Sequence, residues 1–174
     1  MKITIYQGAI KGERFEYFLE KVTELGVDKI CVTPFKRNVV KFKENEKNRK
    51  IERFRKILES SSKQSMRIDI PKIEILDNML ETVSKLEKED AVFILYEKVI
   101  EDTINIKDML ANIVKNNYTN IALVIGAEGG IDETEIEKFS KLRNIRIVTL
   151  GERILRAETT GPSVLSILNY ELGR

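Results

Sequence analysis

Short apolar runs alternate with helical periods along the whole of this 174-residue chain. Two of the runs, Ala91–Tyr96 and Ile121–Ile125, are apolar at nearly every position. A strand that is apolar on both sides must be covered on both sides, because every exposed apolar face costs free energy in water. The alternation therefore predicts an α/β fold, an open parallel sheet with helices on both faces.

The remaining elements follow from the same periodicities. Lys2–Tyr6 reads as a strand. Gly12–Leu25 reads as a helix with Phe15, Phe18, Leu19, Val22 and Leu25 on one stripe and Gly26 as its stop. Lys29–Phe35 is a second strand, and Asn45–Lys63 a long basic helix whose stripe is Ile51, Phe54, Ile57 and Leu58. Ser60–Arg67 reads as a polar loop, and Pro71 opens a strand through Ile75. A helix capped by Asp77 follows, with Leu80 and Val83 facing inward. Ile106–Lys115 is helical. Asp132 and Glu135 have capping-box spacing before a helix to about Leu142. Ile145–Leu150 is a strand, and Pro162–Leu172 a final helix with Pro162 in its first turn. No repeat or linker divides the chain, so residues 1–174 read as one domain.

Composition narrows the chemistry. Apolar residues make up 42% and charged residues 33%, a globular balance. No run approaches the length of a membrane-spanning helix, and the N-terminus has no apolar signal core, so no membrane partner and a cytoplasmic location are expected. There is no histidine and a single cysteine, which excludes Ser–His–Asp and Cys–His hydrolysis and predicts that no metal is bound. Cys31 sits in an apolar run and reads as buried filler. Residues 36–67 hold 12 Lys/Arg and 4 Asp/Glu, a local +8, while the whole chain carries only +2. Such a block suits a polyanion on one face. It equally suits a solvated helix with i,i+4 pairs such as Glu52–Lys56.

Two segments stand out because each follows a strand and precedes a helix. Ile125–Gly126–Ala127–Glu128–Gly129–Gly130 has three glycines, which permit tight turns and close backbone approach. It lacks the spacing of a dinucleotide fingerprint or a P-loop. Leu150–Gly151–Glu152–Arg153–Ile154–Leu155–Arg156–Ala157–Glu158–Thr159–Thr160 surrounds an apolar pair with charges. A purely structural account has Arg153 and Arg156 bridging Glu152 and Glu158, with Thr159 or Thr160 capping the last helix.

Taken together, the pair resembles the paired motifs of the RsmE family, methyltransferases of the SPOUT superfamily that act on N3 of a uridine in 16S ribosomal RNA. Residues 21–40, with Gln64, Ser65, Arg67 and Pro71, add to the resemblance, which spans essentially the whole chain. It implies a SPOUT-type sheet with a C-terminal trefoil knot, an exception to the rule against knots. It implies S-adenosyl-L-methionine held bent by Leu95, Tyr96, Glu97, Ile125, Gly126, Ala127, Glu128, Gly129, Gly130, Leu150, Gly151, Arg153, Ile154 and Leu155. Arg156, Glu158 and Thr159 would surround the methyl-transfer centre. The family works as a homodimer, and the apolar final helix (Val164, Leu165, Ile167, Leu168, Leu172) fits either an interface or the core of one subunit. Ala127 replaces the family's usual proline and Thr160 its usual alanine. The family's N-terminal RNA-binding domain of the PUA type has no counterpart in these residues.

On this reading Lys36, Arg37, Lys41, Arg49, Lys50, Arg53 and Arg67 bind phosphates of ribosomal RNA in the small subunit. Glu158 is a candidate base for the uracil N3 proton, or else a structural ion-pair partner. Arg156 is a candidate for stabilising charge on a uracil oxygen. The competing functions are methylation of another RNA or of a ribose hydroxyl, a non-catalytic RNA-binding or ribosome-assembly role, and nucleotide binding at the glycine-rich turn.

Overall fold

A computed structural model describes residues 1–173. Among them, seven strands form one parallel sheet; five helices connect strands and a sixth follows the last one. The strands are β1 (Lys2–Gly8), β2 (Lys29–Thr33), β3 (Lys72–Ile75), β4 (Ala91–Leu95), β5 (Ile104–Asn105), β6 (Asn120–Ile125) and β7 (Ile145–Thr149). Their order across the sheet is β3-β2-β1-β6-β4-β7-β5. The helices are α1 (Glu13–Glu24), α2 (Glu44–Gln64), α3 (Met79–Leu86), α4 (Ile106–Asn116), α5 (Glu133–Phe139) and α6 (Ala157–Leu172).

The alternation of side chains along each strand divides the core in two. Ile121, Leu123 and Ile125 of β6 pack with Phe18 and Val22 of α1, Phe54 and Leu58 of α2, Met109 of α4 and Leu165 and Leu168 of α6. Ala122 and Val124 face the other way, toward Leu86 of α3 and Ile136 and Phe139 of α5. Helices thus cover both faces, as the two-sided apolar strands require. Val164, Leu165 and Leu168 are fully buried in this core, so the subunit's own interior accounts for most of the apolar surface of α6. No helix among the described residues is long and apolar enough to cross a membrane.

Several local expectations are corrected. Ser60–Gln64 is helical rather than loop, since Ser61 and Ser62 are buried and Ser65 Oγ closes the helix on the Ser61 carbonyl at 2.7 Å. Asn78, not Asp77, caps α3, its side chain accepting from Glu81 N at 2.9 Å. Asp77 pairs instead with Lys47 of α2. That shift turns Leu80 outward, 82% exposed, and buries Thr82 and Leu86. α6 begins at Ala157, which puts Pro162 inside the helix rather than in its first turn. Neither Thr159 nor Thr160 caps it, and Thr160 Oγ1 bonds back to the Arg156 carbonyl. The pair of strand residues in β5 has no sequence signal of its own and is defined by its register with β7. Glu52 and Lys56 form no ion pair; the intrahelical pairs of α2 are Lys47–Glu44 and Lys63–Glu59.

Two features make the packing testable. Gly161 lies where α6 meets α1, and a Cβ there would come within 2.7 Å of Phe18 Cε2. Helix propensity favours Gly161→Ala by about 1 kcal/mol, but overpacking a core ring costs ~1–3 kcal/mol. The substitution is expected to lower Tm in a thermal melt; a higher Tm would show the contact to be loose.

Glu74 of β3 accepts from Lys29 Nζ at 2.8 Å, Lys85 Nζ at 3.1 Å and Cys31 Sγ at 3.1 Å. Burial pushes its carboxyl up, but these hydrogen bonds outweigh it and hold the pKa at about 2, below the ordinary 4.5. A carboxyl depressed by folding stabilises above its unfolded pKa, and that stability is lost as pH falls through the folded value. In denaturant titrations the stability gap between wild type and Glu74→Gln is therefore expected to be constant above pH 4.5 and to close toward pH 2.

Candidate active site

The carboxyl ends of β6, β4 and β7 lie side by side, and the loops leaving them enclose a cavity of about 480 Å3. In open α/β sheets ligands collect at this edge, where loops diverge. From β4 come Leu95, Tyr96 and Glu97; from β6, Ile125 and Gly126–Gly130; from β7, Leu150, Gly151, Arg153, Ile154 and Leu155. Every residue expected to hold the cofactor lines this single space. Arg156 and Glu158 line it too, whereas Thr159 lies outside the lining on the exposed side of the first turn of α6.

Backbone geometry explains the glycines. Gly130 N donates to the Ala127 carbonyl at 2.9 Å, closing a tight turn. Gly130 has φ +71°, a conformation that suits glycine, and a Cβ on Gly126 would lie 2.7 Å from the Gly130 carbonyl carbon. The loop is held from beneath by Gln7, fully buried at the end of β1, whose Nε2 donates to the Gly126 carbonyl at 2.9 Å. Beyond the turn, the expected capping box is present. Glu135 Oε2 accepts from Asp132 N at 3.1 Å, and its Oε1 reaches across to Lys36 N at 2.9 Å.

Arg14 of α1 is the main site residue that sequence reasoning missed. Its Nη2 lies 2.6 Å from Glu128 Oε1 and its Nη1 3.8 Å from Glu158 Oε1. One arginine from the start of the chain thereby joins the glycine-rich loop to α6, across more than a hundred residues of sequence. No local pattern announces such a contact; only the β1–β6 pairing brings it about. Val148, Thr149, Ala157 and Thr160 complete the lining. The bridges from Arg153 and Arg156 to Glu152 and Glu158 do not form. Both arginines are exposed and have no ion-pair partner among the described residues.

Glu158 is the charged group least satisfied by its surroundings. It is 8% exposed, and its Oε2 is buried with no hydrogen-bond partner. Pro162, four residues on, has no N–H, so the Glu158 carbonyl also lacks its helical donor. Tyr96 is buried elsewhere in the lining, and burial pushes its phenol above the ordinary range, with Glu97 adding to the effect.

The basic block is distributed over three places. Lys36 and Arg37 follow β2 and pair with Asp132 at 3.7 and 3.2 Å. Arg37 packs on Gly129, whose Cβ would lie 2.9 Å from the arginine carbonyl oxygen. Lys41, Arg49 and Lys50 have no ion-pair partner among the described residues. Arg53 binds Glu16 of α1 at 2.5 Å, and Arg67 Nη1 donates to the Thr23 carbonyl at 2.7 Å.

Comparison with known proteins agrees with this architecture. The family model for the RNA methyltransferase domain matches residues 1–169. The chain belongs to this RNA methyltransferase family, in the group of the ribosomal RNA small subunit methyltransferases E. It is 32% identical over 166 residues to the protein of that name from Mesomycoplasma hyopneumoniae, covering 95% of this chain and 68% of that one. It is 27% identical over 173 residues to the one from Bacillus subtilis, covering 98% and 66%. Among solved structures, ribosomal RNA small subunit methyltransferase E from Neisseria gonorrhoeae, bound to S-adenosyl methionine, superposes with a TM-score of 0.82 at 26% identity, covering 98% of this chain and 66% of that one. The chain thus spans about two thirds of the length of these relatives.

Replacing Gln7 by leucine tests the support of the loop. The change leaves the Gly126 carbonyl without its buried donor and is expected to cost ~1–3 kcal/mol. Equilibrium unfolding in urea measures it, and a change under 0.5 kcal/mol would show that the loop holds itself.

Proposed function

We propose that the chain is an S-adenosyl-L-methionine-dependent RNA methyltransferase that methylates N3 of a uridine in small-subunit ribosomal RNA, working in the cytoplasm as a homodimer. The observation that carries the reading is the cavity itself. Residues 95–97, 125–130, 150, 151 and 153–155 surround one space of about 480 Å3, within the range of small-molecule sites. Of its glycines, Gly126, Gly129 and Gly130 let the wall close on itself without side chains, Gly151 leaves open space where a Cβ would stand, and Glu158 has a buried carboxylate oxygen without a partner. This donor set fits a ligand with a flat base and a cationic end. The C-terminal trefoil knot and the homodimer belong to the same reading. Ile154, 80% exposed at the cavity rim, is an apolar residue that a second subunit would cover.

When bound, the cofactor supplies an electrophilic methyl group on a sulfonium sulfur. This chain's residues must then bring uracil N3 into line and remove its proton. Glu158 Oε2 takes that proton, while Arg14 fixes the other carboxylate oxygen at 3.8 Å. Arg156, exposed and without a counter-ion, stabilises the negative charge that grows on a uracil oxygen. Thr159 faces outward from the same turn, on the side from which RNA enters. Holding base and methyl in line contributes ~7–11 kcal/mol of barrier reduction, so a strong base is not required. Lys36, Arg37, Lys41, Arg49, Lys50, Arg53 and Arg67 hold phosphates and position the strand without reading it.

The direct test is methyl transfer to undermodified small ribosomal subunits, followed by mass analysis of the nucleosides. N3-methyluridine is expected; a 2′-O-methyl nucleoside would assign another target, and no product would remove the enzymatic reading. Arg156→Ala is expected to lower kcat about 10²–10³-fold, and unchanged turnover would exclude it from the mechanism.

A further inference from the structure

A second cavity, of about 330 Å3, opens at the carboxyl ends of β1, β2 and β3, on the same sheet edge as the first and across the β1–β6 junction from it. Ala9, Phe35, Asn38, Lys41, Phe42 and Asp77 are among its walls. Only a thin partition separates the two spaces. A Cβ on Gly8 would lie 2.4 Å from Ala127 N, so the chain entering the second cavity at Ala9 presses directly on the wall of the first. On the other side Arg37, packed against Gly129, stands between Lys36 and Asn38, which both line the second cavity.

The chemistry of this space is distinct. Three cations, Lys36, Lys41 and Lys47, face it against the single carboxylate of Asp77. Lys47 is held between Glu44 and Asp77, and Lys36 is drawn to Asp132. Lys41 has no ion-pair partner among the described residues. Asn38 is 8% exposed; its Nδ2 donates to the Thr33 carbonyl at 2.8 Å, which leaves Oδ1 buried with no hydrogen-bond partner. Buried polar atoms are nearly always paired, so an orphaned acceptor in a cavity wall marks a place for a donor. Phe35 and Phe42 supply apolar wall beside it. A cation for phosphate, an apolar wall for a ring and one acceptor for a ring N–H are the parts that recognise a splayed nucleotide.

We propose that this cavity receives the nucleobase next to the methylated one on the same RNA strand, with Asn38 Oδ1 accepting a hydrogen bond from the base edge and Lys41 pairing with its phosphate. The inference rests on the RNA methyltransferase reading above. It assigns a sequence-reading role to a segment whose neighbouring cations, on that reading, position the strand through its phosphates.

Ultraviolet cross-linking of the full chain to undermodified small ribosomal subunits, with S-adenosyl-L-methionine present, tests it. Mass spectrometry is expected to find a nucleotide adjacent to the methylated position attached to the peptide containing residues 35–42. Asn38→Ala is expected to raise KM for the subunits about tenfold while cofactor affinity stays at the wild-type value. Cross-links confined to residues 95–97 and 150–160, with methylation intact, would overturn the second site and leave the enzyme standing. A lower Tm for Asn38→Ala with KM unchanged would reduce Asn38 to a fold residue and also overturn it. Absence of both methylation and cross-links would remove the proposed function and the second site together.

Discussion

Backbone packs on backbone where β6 leaves the sheet, and that close approach sets the position of everything at the candidate site. Gly8 and Ala127 touch with no room for a Cβ on the glycine, and Gly126 lies as tightly against Gly130. Gln7 fixes the same point by a buried hydrogen bond to the Gly126 carbonyl. Any larger side chain at these glycines would lift the loop from β1 and open the wall shared by the two cavities. The parallel sheet makes the arrangement possible, because it brings the ends of β1, β6, β4 and β7 to one edge.

Ion pairs tie separate elements together at that edge. Arg14 links Glu128 to Glu158 and so couples the loop after β6 to the start of α6. Lys36 and Arg37 are anchored to Asp132 at the start of α5. These anchored cations hold elements together, whereas Lys41, Arg49, Lys50, Arg153 and Arg156 have no anionic partner among the described residues.

Much of this was legible in the residues. Strands β4 and β6 show as continuous apolar runs, α1 and α2 as stripes, and α5 by its capping box, because each signal is local. The two motif segments lie together around one cavity. What escaped was decided by tertiary contact. Strand β5 exists only through its pairing with β7. Asp77 and Asn78 are equally good acceptors in sequence, and the salt link from Lys47 draws Asp77 away. The run Arg156–Thr160 looks like loop, yet α6 begins within it at Ala157, where Glu158 and Thr160 turn toward the cavity and Gly161 seats the helix on Phe18. Arg14 and the second cavity depend on strands far apart in the chain.

The turns after β4, β6 and β7 line one pocket, which is read here as the seat of a methyl donor. Isothermal titration of the chain with S-adenosyl-L-methionine measures it directly. One site per chain is expected, abolished by Gly126→Val, whose side chain would strike Gly130 across the turn. No heat of binding at high micromolar cofactor, or equal affinity in the Gly126→Val protein, would contradict it.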